Sequence, residues 1–468
     1  MLTKPRIQIQ QDKDALPNPG LQASIYNFRF SLGEVSGACL LYNSRTNAVL
    51  RISKQLAAQL DNALDASPIT VEALTKKLPA DLVDALKSGG FVVDASLDER
   101  RLLKAMDQNA RFGSARLALT IAPTLACNFR CPYCYQDHKS RHMNAEVTER
   151  IKAFVSKQLR YLSDFSVSWY GGEPLLVKDR VLDLQRYFFE ACKEANVNFG
   201  SSMITNGYLL EEELARTLSN TGVSFVQITL DGAAPSHNKR RKLKNGRGTF
   251  DRIYENLKTA SLHFERISLR VNIDKTNPED LDIIRDMVAR DGLADKVYVY
   301  PGKVDAVTDA SRAYAQNCYT RREFAEYEVQ RGMEALTRGE DIETFPRLGN
   351  GCGAICSNAF VIDPDGYLYK CWNDVGERDA CVGLLSEQGE KYRPQLAQWE
   401  AFDRFESEEC RACPYLPICI AGCSYEEIAH GDASHKCTEF RWNLEEIVKL
   451  KYVSDLRHRL QSEGGASV

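Results

Sequence analysis

The sequence of 468 residues has no apolar run that approaches the ~20 residues needed to span a bilayer, which argues against a helical membrane protein. Its first residues, Met1 to Arg6, lack the apolar core of a secretory signal peptide. It also lacks an excess of positive charge, because 60 Lys and Arg residues against 64 Asp and Glu residues give a formal net charge of −4. That charge balance does not indicate the basic surface that binding to nucleic acid requires. We therefore expect a cytoplasmic protein with neither a membrane nor a nucleic acid as its partner.

Cysteine, in contrast, is abundant, with 15 residues. Disulfides are disfavoured in the cytoplasm, so clustered cysteines indicate metal ligands. Three cysteines form one group and eight form a second, which leaves four that stand apart. For these four we expect the role of small buried hydrophobic residues: Cys39, Cys192, Cys318 and Cys381.

The first group, Cys127, Cys131 and Cys134, has the spacing C-x3-C-x2-C. Three thiolates at this spacing can hold three irons of a cubane iron–sulfur cluster, and the fourth iron is left open to a small molecule. Tyr133 stands directly before the third cysteine. The segment thereby resembles the radical S-adenosylmethionine (SAM) enzymes, whose motif is C-x3-C-x-aromatic-C.

The resemblance implies a [4Fe–4S] cluster whose open iron chelates the amino and carboxylate groups of SAM. An electron donor such as flavodoxin or ferredoxin would supply the electron. Reductive cleavage of SAM would then give a 5′-deoxyadenosyl radical, which abstracts a hydrogen atom from the substrate.

Residues 115–305 alternate between strand-like and helix-like segments. Six β–α repeats argue for a parallel sheet with helical crossovers, in which reactive groups gather at the carboxyl ends of the strands. The resemblance implies the partial (β/α)6 TIM barrel of radical SAM enzymes. The predicted strands are Arg116–Ala122, Ser166–Tyr170, Ser201–Thr205, Phe225–Leu230, Ile267–Ile273 and Lys296–Tyr300, with helices such as Ala145–Leu162 and Val177–Ala195.

Short motifs follow the predicted strands. Two adjacent glycines and a glutamate follow the second strand, and glycine lets a backbone approach its neighbour closely. The family has a Gly-Gly-Glu motif there that binds the SAM amino group. Asn238 departs from the family pattern, which has aspartate, and His237 is expected to be structural or near the substrate. The resemblance implies these SAM-binding residues: Tyr133, Gly171, Gly172, Glu173, Thr205, Asn206, Arg270 and Asn272.

The second cysteine group resembles the SPASM domain, an auxiliary-cluster domain of one branch of radical SAM enzymes. Eight thiolates suffice for two fully ligated cubane clusters. By analogy with the family, the first auxiliary [4Fe–4S] cluster is held by Cys352, Cys356, Cys371 and Cys423, and the second by Cys410, Cys413, Cys419 and Cys437. Two tetrahedral zinc sites are the alternative, and a disulfide framework ranks below both. A β-hairpin is predicted around Pro364-Asp365-Gly366.

The remaining segments complete an α/β architecture. The sequence pattern of residues 1–95 predicts strands that flank three short helices, which indicates a winged-helix-like module. Its element order resembles the peptide-recognition element of enzymes that modify ribosomally made peptides (RiPPs), and a simple cap on the barrel is the alternative. We expect a linker helix at 96–114, a helical connector at 306–345, a SPASM domain at 346–445 and a C-terminal helix and tail at 446–468.

Together these features favour a radical SAM/SPASM peptide maturase, an oxidoreductase that installs a thioether, C–C or C–O crosslink or a related oxidation in a ribosomal precursor peptide. A sulfatase-type formylglycine maturase is the second candidate, although Trp372 stands where those enzymes carry an aspartate proposed as base. A non-catalytic zinc-binding interaction protein is the third. Asp231 and Tyr300 are candidates for a catalytic base, and the run from Lys239 to Lys242 is expected to be a solvated loop rather than an RNA site.

Overall fold

The structure, a computed structural model, describes residues 20–34, 36–65, 67–137, 139–306, 308–348, 351–385, 393–419, 422–431 and 437–464. Residues 1–19 of the predicted N-terminal module lie outside the described residues. Among the described helices, none is long and apolar enough to cross a membrane.

The N-terminal module contains a predicted hairpin that is present in the structure and pairs with a third strand. Strands β2, β3 and β4 form an antiparallel sheet, and β1 pairs with β5. Ser53 caps the first helix by accepting a hydrogen bond from the backbone of Leu56. The elements are β1 (Leu21–Ala23), β2 (Asn27–Ser31), β3 (Ala38–Asn43), β4 (Ala48–Ser53), α1 (Lys54–Leu64), α2 (Val71–Thr75), α3 (Ala80–Ser88) and β5 (Val92–Asp94). The winged-helix comparison stays a prediction.

After the linker helix the chain alternates strand and helix, as the sequence pattern predicts. The elements are α4 (Glu99–Phe112), β6 (Arg116–Ile121), α5 (Ala145–Leu159), β7 (Asp164–Trp169), α6 (Lys178–Ala195), β8 (Asn198–Thr205), α7 (Glu212–Asn220), β9 (Val223–Leu230), α8 (Ala234–Arg240), α9 (Phe250–Ala260), β10 (Ile267–Ile273), α10 (Asp280–Arg290) and β11 (Val297–Lys303). Strands β6 to β11 are parallel and lie side by side in chain order. The carboxyl ends of all six strands therefore meet at one edge of the sheet.

Alternation along these strands separates two faces of the sheet. Phe165, Val167 and Trp169 of β7 are buried in the main hydrophobic core against the helices. Ser166 and Ser168 point the opposite way, because successive strand residues face opposite sides. On β7 this second face therefore carries small hydroxyl side chains.

The C-terminal region extends the same sheet, which the sequence pattern did not predict. Its elements are α11 (Arg321–Thr337), β12 (Ala359–Ile362), β13 (Tyr367–Tyr369), β14 (Gly383–Leu384), α12 (Pro394–Glu400), α13 (Glu408–Arg411), α14 (Leu416–Cys419), α15 (Ser424–His430) and α16 (Phe440–Gly464). The predicted hairpin forms between β12 and β13. In addition, β12 pairs in parallel with β6, so strands β6 to β14 form one nine-stranded sheet.

The C-terminal helix α16 begins at Phe440 and packs against α11. Ile447 and Val448 are fully buried. The predicted domain boundary between residues 445 and 446 therefore falls within this helix, and the domain division stays a prediction. Val448 also packs with Leu40 of β3, so this helix joins the N-terminal module to the rest of the chain.

Candidate active site

The three cysteines of the first group lie on the loop that follows β6, at the carboxyl edge of the sheet. Cys127 is buried, and Cys131 and Cys134 are partly buried. Burial raises the pKa of the Cys127 thiol to about 11 and that of Cys131 to about 12. The negative charge of Cys134 raises both pKa values further, so the structure brings the three thiols together.

The loop is held by the backbone of the Gly-Gly-Glu motif. The backbone N–H of Gly172 donates to Thr124, and that of Glu173 donates to Ala126, at 3.0 and 2.9 Å. A Cβ on Gly172 would lie 2.1 Å from the Ala126 oxygen. The close approach that the glycines permit is thus to the chain just before Cys127.

Glu173 is fully buried, and both of its carboxylate oxygens accept hydrogen bonds from the protein. One oxygen accepts from the Leu175 N–H and the Thr205 hydroxyl group at 3.1 and 2.7 Å, and the other from the Asn206 N–H at 2.8 Å. Burial raises the pKa of Glu173, and these hydrogen bonds oppose that shift. The expected role of Glu173 toward the SAM amino group stays a prediction, and the contacts shown are structural.

Asn206, directly after β8, links Glu173 to the cysteine loop. The Asn206 amide donates to the Asn128 side-chain oxygen at 2.8 Å, and it lies 3.9 Å from the Cys127 sulfur. Glu173, Thr205, Asn206 and Cys127 therefore form one connected arrangement, as their positions after successive strands predict.

Tyr133 reaches from the cysteine loop to the next strands of the sheet. Its hydroxyl group donates to Asp231 at 2.5 Å and accepts hydrogen bonds from Arg241 and Asn272 at 3.1 and 3.2 Å. Burial raises its pKa well above the ordinary value, so the phenol keeps its proton. The aromatic residue of the cysteine motif thus anchors the loop across the sheet.

Asp231 is fully buried and already paired with positive charge. It forms an ion pair with Arg240 at 2.9 Å, and Arg240 also pairs with Asp274 at 3.0 Å. His237 is fully buried, accepts a hydrogen bond from the Asp231 N–H and contacts the Thr249 hydroxyl group. The contacts of His237 are structural, which is one of the two roles expected for it, and those of Asp231 place it in a buried ion-pair network.

The other base candidate, Tyr300, lies on β11 beside Arg270 of β10. Its hydroxyl group donates to Gln227 at 2.6 Å. Arg270 donates to the Asn272 side chain at 2.8 Å and to the Lys303 carbonyl group at 2.9 Å. Arg270 is therefore connected to Tyr133 through the side chain of Asn272. Tyr300 bonds instead to Gln227 of β9.

The second cysteine group divides into two sets in the structure. Burial raises the pKa of Cys371, and the charges of Cys352 and Cys423 raise it further. Burial also raises the pKa of Cys356, and the charge of Cys352 adds to that effect. These four thiols therefore lie near one another, and they are the four that the resemblance assigns to one auxiliary cluster.

The remaining four thiols form the second set. Burial raises the pKa of Cys413, and the charges of Cys410 and Cys437 raise it further. Burial raises the pKa of Cys419 in the same way, with contributions from Cys413 and Cys437. The structure thus brings together residues from three separate segments of the chain.

Several features of the three thiol sites suit iron–sulfur clusters. Buried side-chain nitrogens of Asn128 and Arg404 have no hydrogen-bond partner in the described structure. Asn128 lies beside Cys127, and the positive charge of Arg404 acts on both Cys352 and Cys419. Such donors and cations offset the negative charge of thiolates and sulfides.

Single-ion sites are not apparent in the part of the chain that is described. There, no three His, Cys, Asp or Glu side chains converge closely enough to hold one metal ion. In a cubane each cysteine binds a different iron, so the sulfurs stand farther apart than around one zinc ion.

A cavity of about 480 Å³ lies at the opposite, amino-terminal ends of β6, β7 and β8. Its lining includes Arg111, Ser166, Gly200 and Cys356. Arg111 is buried and donates to the carbonyl groups of Ile355 and Phe402. The cavity thus borders the first C-terminal thiol set.

Sequence reasoning missed the buried cations and the aromatic contacts beside the cysteines. Arg240 and Arg241 were interpreted as part of a solvated loop, but both are buried. Tyr135 and Trp372 each follow a cysteine directly, and the rings of both lie near that of Tyr170. An aromatic residue directly after a cysteine of each group is the sequence signal that could have indicated these contacts.

Comparison with known proteins places this geometry in context. Residues 121–288 match the Radical SAM superfamily. The mycofactocin maturase MftC of Mycolicibacterium smegmatis is 27% identical over 341 residues, which covers 68% of this chain and 81% of that protein. The cysteine-type anaerobic sulfatase-maturating enzyme of Clostridium novyi is 24% identical over 340 residues, with 66% and 87% covered.

Solved structures share the fold. Native anSMEcpe with bound AdoMet and the Cp18Cys peptide superposes with a TM-score of 0.56 at 19% identity, covering 73% of this chain and 99% of that chain. Streptococcus suis SuiB bound to its precursor peptide SuiA superposes with a TM-score of 0.52 at 15% identity, covering 90% and 98%. At these identities the likeness concerns the fold alone. The segment that is similar to the Radical SAM superfamily begins at the last residue of β6 and includes the cysteine loop and β7 to β10, and the chain as a whole is similar to known maturases.

Proposed function

We propose that this protein is a radical SAM peptide maturase with three iron–sulfur clusters, which crosslinks or otherwise oxidises a ribosomal precursor peptide. The observation that carries the proposal is the convergence of three separate sets of thiols in a chain that contains a radical SAM domain. Two solved structures of similar fold hold a bound peptide, which supports the substrate class.

When bound, the cluster and SAM would supply a 5′-deoxyadenosyl radical that abstracts a hydrogen atom from the peptide. Cys127, Cys131 and Cys134 would hold that cluster. Tyr133 anchors their loop to Asp231 and Asn272, and Glu173 fixes the turn beside it. Their role is to keep the thiols in position while SAM and peptide exchange.

The two C-terminal sets would hold auxiliary clusters, each with four protein ligands. A crosslink removes two hydrogens from the peptide. One leaves as the hydrogen atom in 5′-deoxyadenosine, and the other leaves as a proton and an electron. A cluster with no open iron suits acceptance of that electron, and an external carrier such as flavodoxin or ferredoxin would complete the circuit.

The N-terminal module is proposed to bind the leader of the precursor as an added strand. Its sheet packs against the second thiol set, because the Ser44 hydroxyl group donates to the Pro414 carbonyl group at 2.6 Å and Phe28 lies 4.8 Å from Tyr415. The same contact would also be expected if the module only capped the barrel and bound no leader. Comparing turnover of precursor with and without its leader distinguishes the two.

Formylglycine formation is the second candidate, supported by the relation to sulfatase-maturating enzymes. Trp372 argues against it, because an indole cannot act as the base for which those enzymes are proposed to use an aspartate. The peptide product distinguishes crosslinking from formylglycine formation, since a crosslink and a formylglycine differ in mass and in reactivity toward hydrazines.

The proposal is tested with anaerobically purified protein. We expect about 12 iron and 12 sulfide ions per chain, as three cubane clusters require, and release of 5′-deoxyadenosine with a precursor encoded nearby. Cys413→Ala is expected to remove one auxiliary cluster and to lower peptide turnover without preventing SAM cleavage. Zinc without sulfide, or a folded Cys413→Ala enzyme with full turnover, would contradict the proposal or its electron-acceptor role, respectively.

A further inference from the structure

Three aromatic side chains connect the cysteine loop to the first C-terminal thiol set. Tyr135 follows Cys134 and donates through its hydroxyl group to that of Tyr170 at 2.5 Å, with ring centroids 6.4 Å apart. The Tyr170 ring lies 5.4 Å from Trp372, which follows Cys371. We call Tyr135, Tyr170 and Trp372 the aromatic shelf. It spans the space between two proposed cluster sites.

The shelf is open to a ligand at one end. Trp372 is 47% exposed, although an indole in the middle of a stable fold is usually covered. Tyr170 follows β7 at a position whose parity places it on the inner face of the sheet. Tyr170 therefore lies on the same face of the sheet as Ser166 and Ser168.

The hydrogen bond between the two tyrosines leaves one donor unused. Tyr135 donates, so the Tyr170 oxygen accepts, and no acceptor for the Tyr170 proton is found among the described residues. A tyrosine hydroxyl group, with an ordinary pKa of about 10, keeps its proton at neutral pH. Tyr170 thus offers an O–H group beside an exposed indole ring.

Charges of both signs surround the shelf, so charge alone does not select its ligand. The negative charges of Cys134 and Cys371 and the positive charge of Arg270 act on Tyr170 in opposite directions. The exposed indole of Trp372 favours an aromatic ligand, because two rings pair in offset-stacked or edge-to-face geometry.

We propose that the aromatic shelf is a specificity site, where Trp372 stacks with an aromatic side chain of the peptide and Tyr170 donates to a neighbouring peptide carbonyl group. The inference rests on the proposed function in that the ligand is the peptide substrate. Ring pairs and hydrogen bonds of this kind are each worth roughly three- to tenfold in affinity.

The test uses the full-length, cluster-loaded protein labelled with 5-fluorotryptophan and observed by ¹⁹F NMR. The chain has four tryptophans, and Trp372→Phe assigns the signal of interest. N-acetyl-phenylalaninamide, N-acetyl-leucinamide and N-acetyl-lysinamide serve as probes. We expect the Trp372 signal to shift and saturate with the phenylalanine probe, at concentrations at least threefold lower than with the other two.

Matched variants separate the shelf from general surface binding. Tyr170→Phe keeps the ring and removes the donor, so it should weaken the phenylalanine probe about threefold or more. Tyr161→Ala removes another exposed aromatic ring, 63% exposed, and should change nothing. No shift, or equal shifts with all three probes, overturns the inference.

The experiment involves no turnover, so the two proposals can fail separately. If the shelf binds the phenylalanine probe but no peptide yields 5′-deoxyadenosine, the proposed function fails and the shelf stands. If a precursor is modified but the Trp372 signal does not respond, the shelf fails and the function stands.

Discussion

Gly172 provides a sharp test of how the fold supports the first cysteine group. A Cβ at this position would lie 2.1 Å from the Ala126 oxygen, whereas real Cβ contacts do not fall below 3.0 Å. In Gly172→Ala the two backbones must separate by roughly 1 Å, a shift that an overpacked core accommodates at about 1–3 kcal/mol. The 2.9 Å hydrogen bond from Glu173 to Ala126 would be lost, at a further cost of about 1 kcal/mol.

The displacement acts directly on Cys127, the next residue after Ala126. Metal-site ligands must be held within about 0.5 Å of their working geometry. We expect Gly172→Ala to lose the SAM-binding cluster, seen as a fall from about 12 to about 8 irons per chain, as one cubane fewer implies. The change that SAM causes in the electron paramagnetic resonance spectrum of the reduced protein should disappear.

Gly200→Ala is the matched control. Its Cβ would meet its nearest neighbour, Ser166, at an ordinary 3.8 Å. This variant should keep full iron content and the response to SAM. If Gly172→Ala also kept both, the backbone contact would not position Cys127, and the reasoning would be refuted.

Three further predictions follow from buried charges. Asp231→Asn removes one of the two carboxylates that pair with the buried Arg240, the other being that of Asp274, and should destabilise the fold by about 1–3 kcal/mol. Chemical denaturation measures the effect against the exposed control Asp295→Asn, whose equal effect would contradict this account. Burial raises the pKa of Glu328 to about 7, above its ordinary 4.5, so the free energy of unfolding should fall as pH rises from about 4.5 to 7. Glu328→Gln should flatten that pH dependence and raise the unfolding midpoint at pH 8. An unchanged pH dependence in this variant would contradict the role of Glu328. Arg404→Gln should lower the midpoint potentials of both auxiliary clusters by tens of millivolts in a spectroscopic redox titration, and unchanged potentials would show that its charge does not act on them.

Much of the catalytic region could be predicted because its signals are local. The β–α alternation of residues 115–305 depends on hydrophobic periodicity, and the cysteine spacing depends on ligand chemistry. The parallel order of β6 to β11 then places Cys127, Glu173 and Asn206 at one edge. Each of these inferences needs only the chain direction and the position at which a strand ends.

Other features could not be predicted because they depend on partners far apart in the chain. The residues around Gly366 specify a hairpin, but nothing in them specifies that β12 also pairs with β6. Glu173 could be assigned to a motif from the sequence, yet its hydrogen bonds from the backbone of Leu175 and Asn206 depend on the exact turn. The run from Lys239 to Lys242 looks solvated, and the burial of Arg240 follows only from the positions of Asp231 and Asp274.

The pairing of β12 with β6 has a consequence for biosynthesis. Strand β6 is made early, but its outer edge gains a partner only when residues 359–362 have been synthesised. Until then an unpaired parallel edge is available to other chains, and such edges favour aggregation. A fragment that ends after α11 would keep that edge permanently. The catalytic domain and the C-terminal cysteine region are thus a single folding unit, and truncating the chain between them should yield insoluble protein rather than an isolated radical SAM domain.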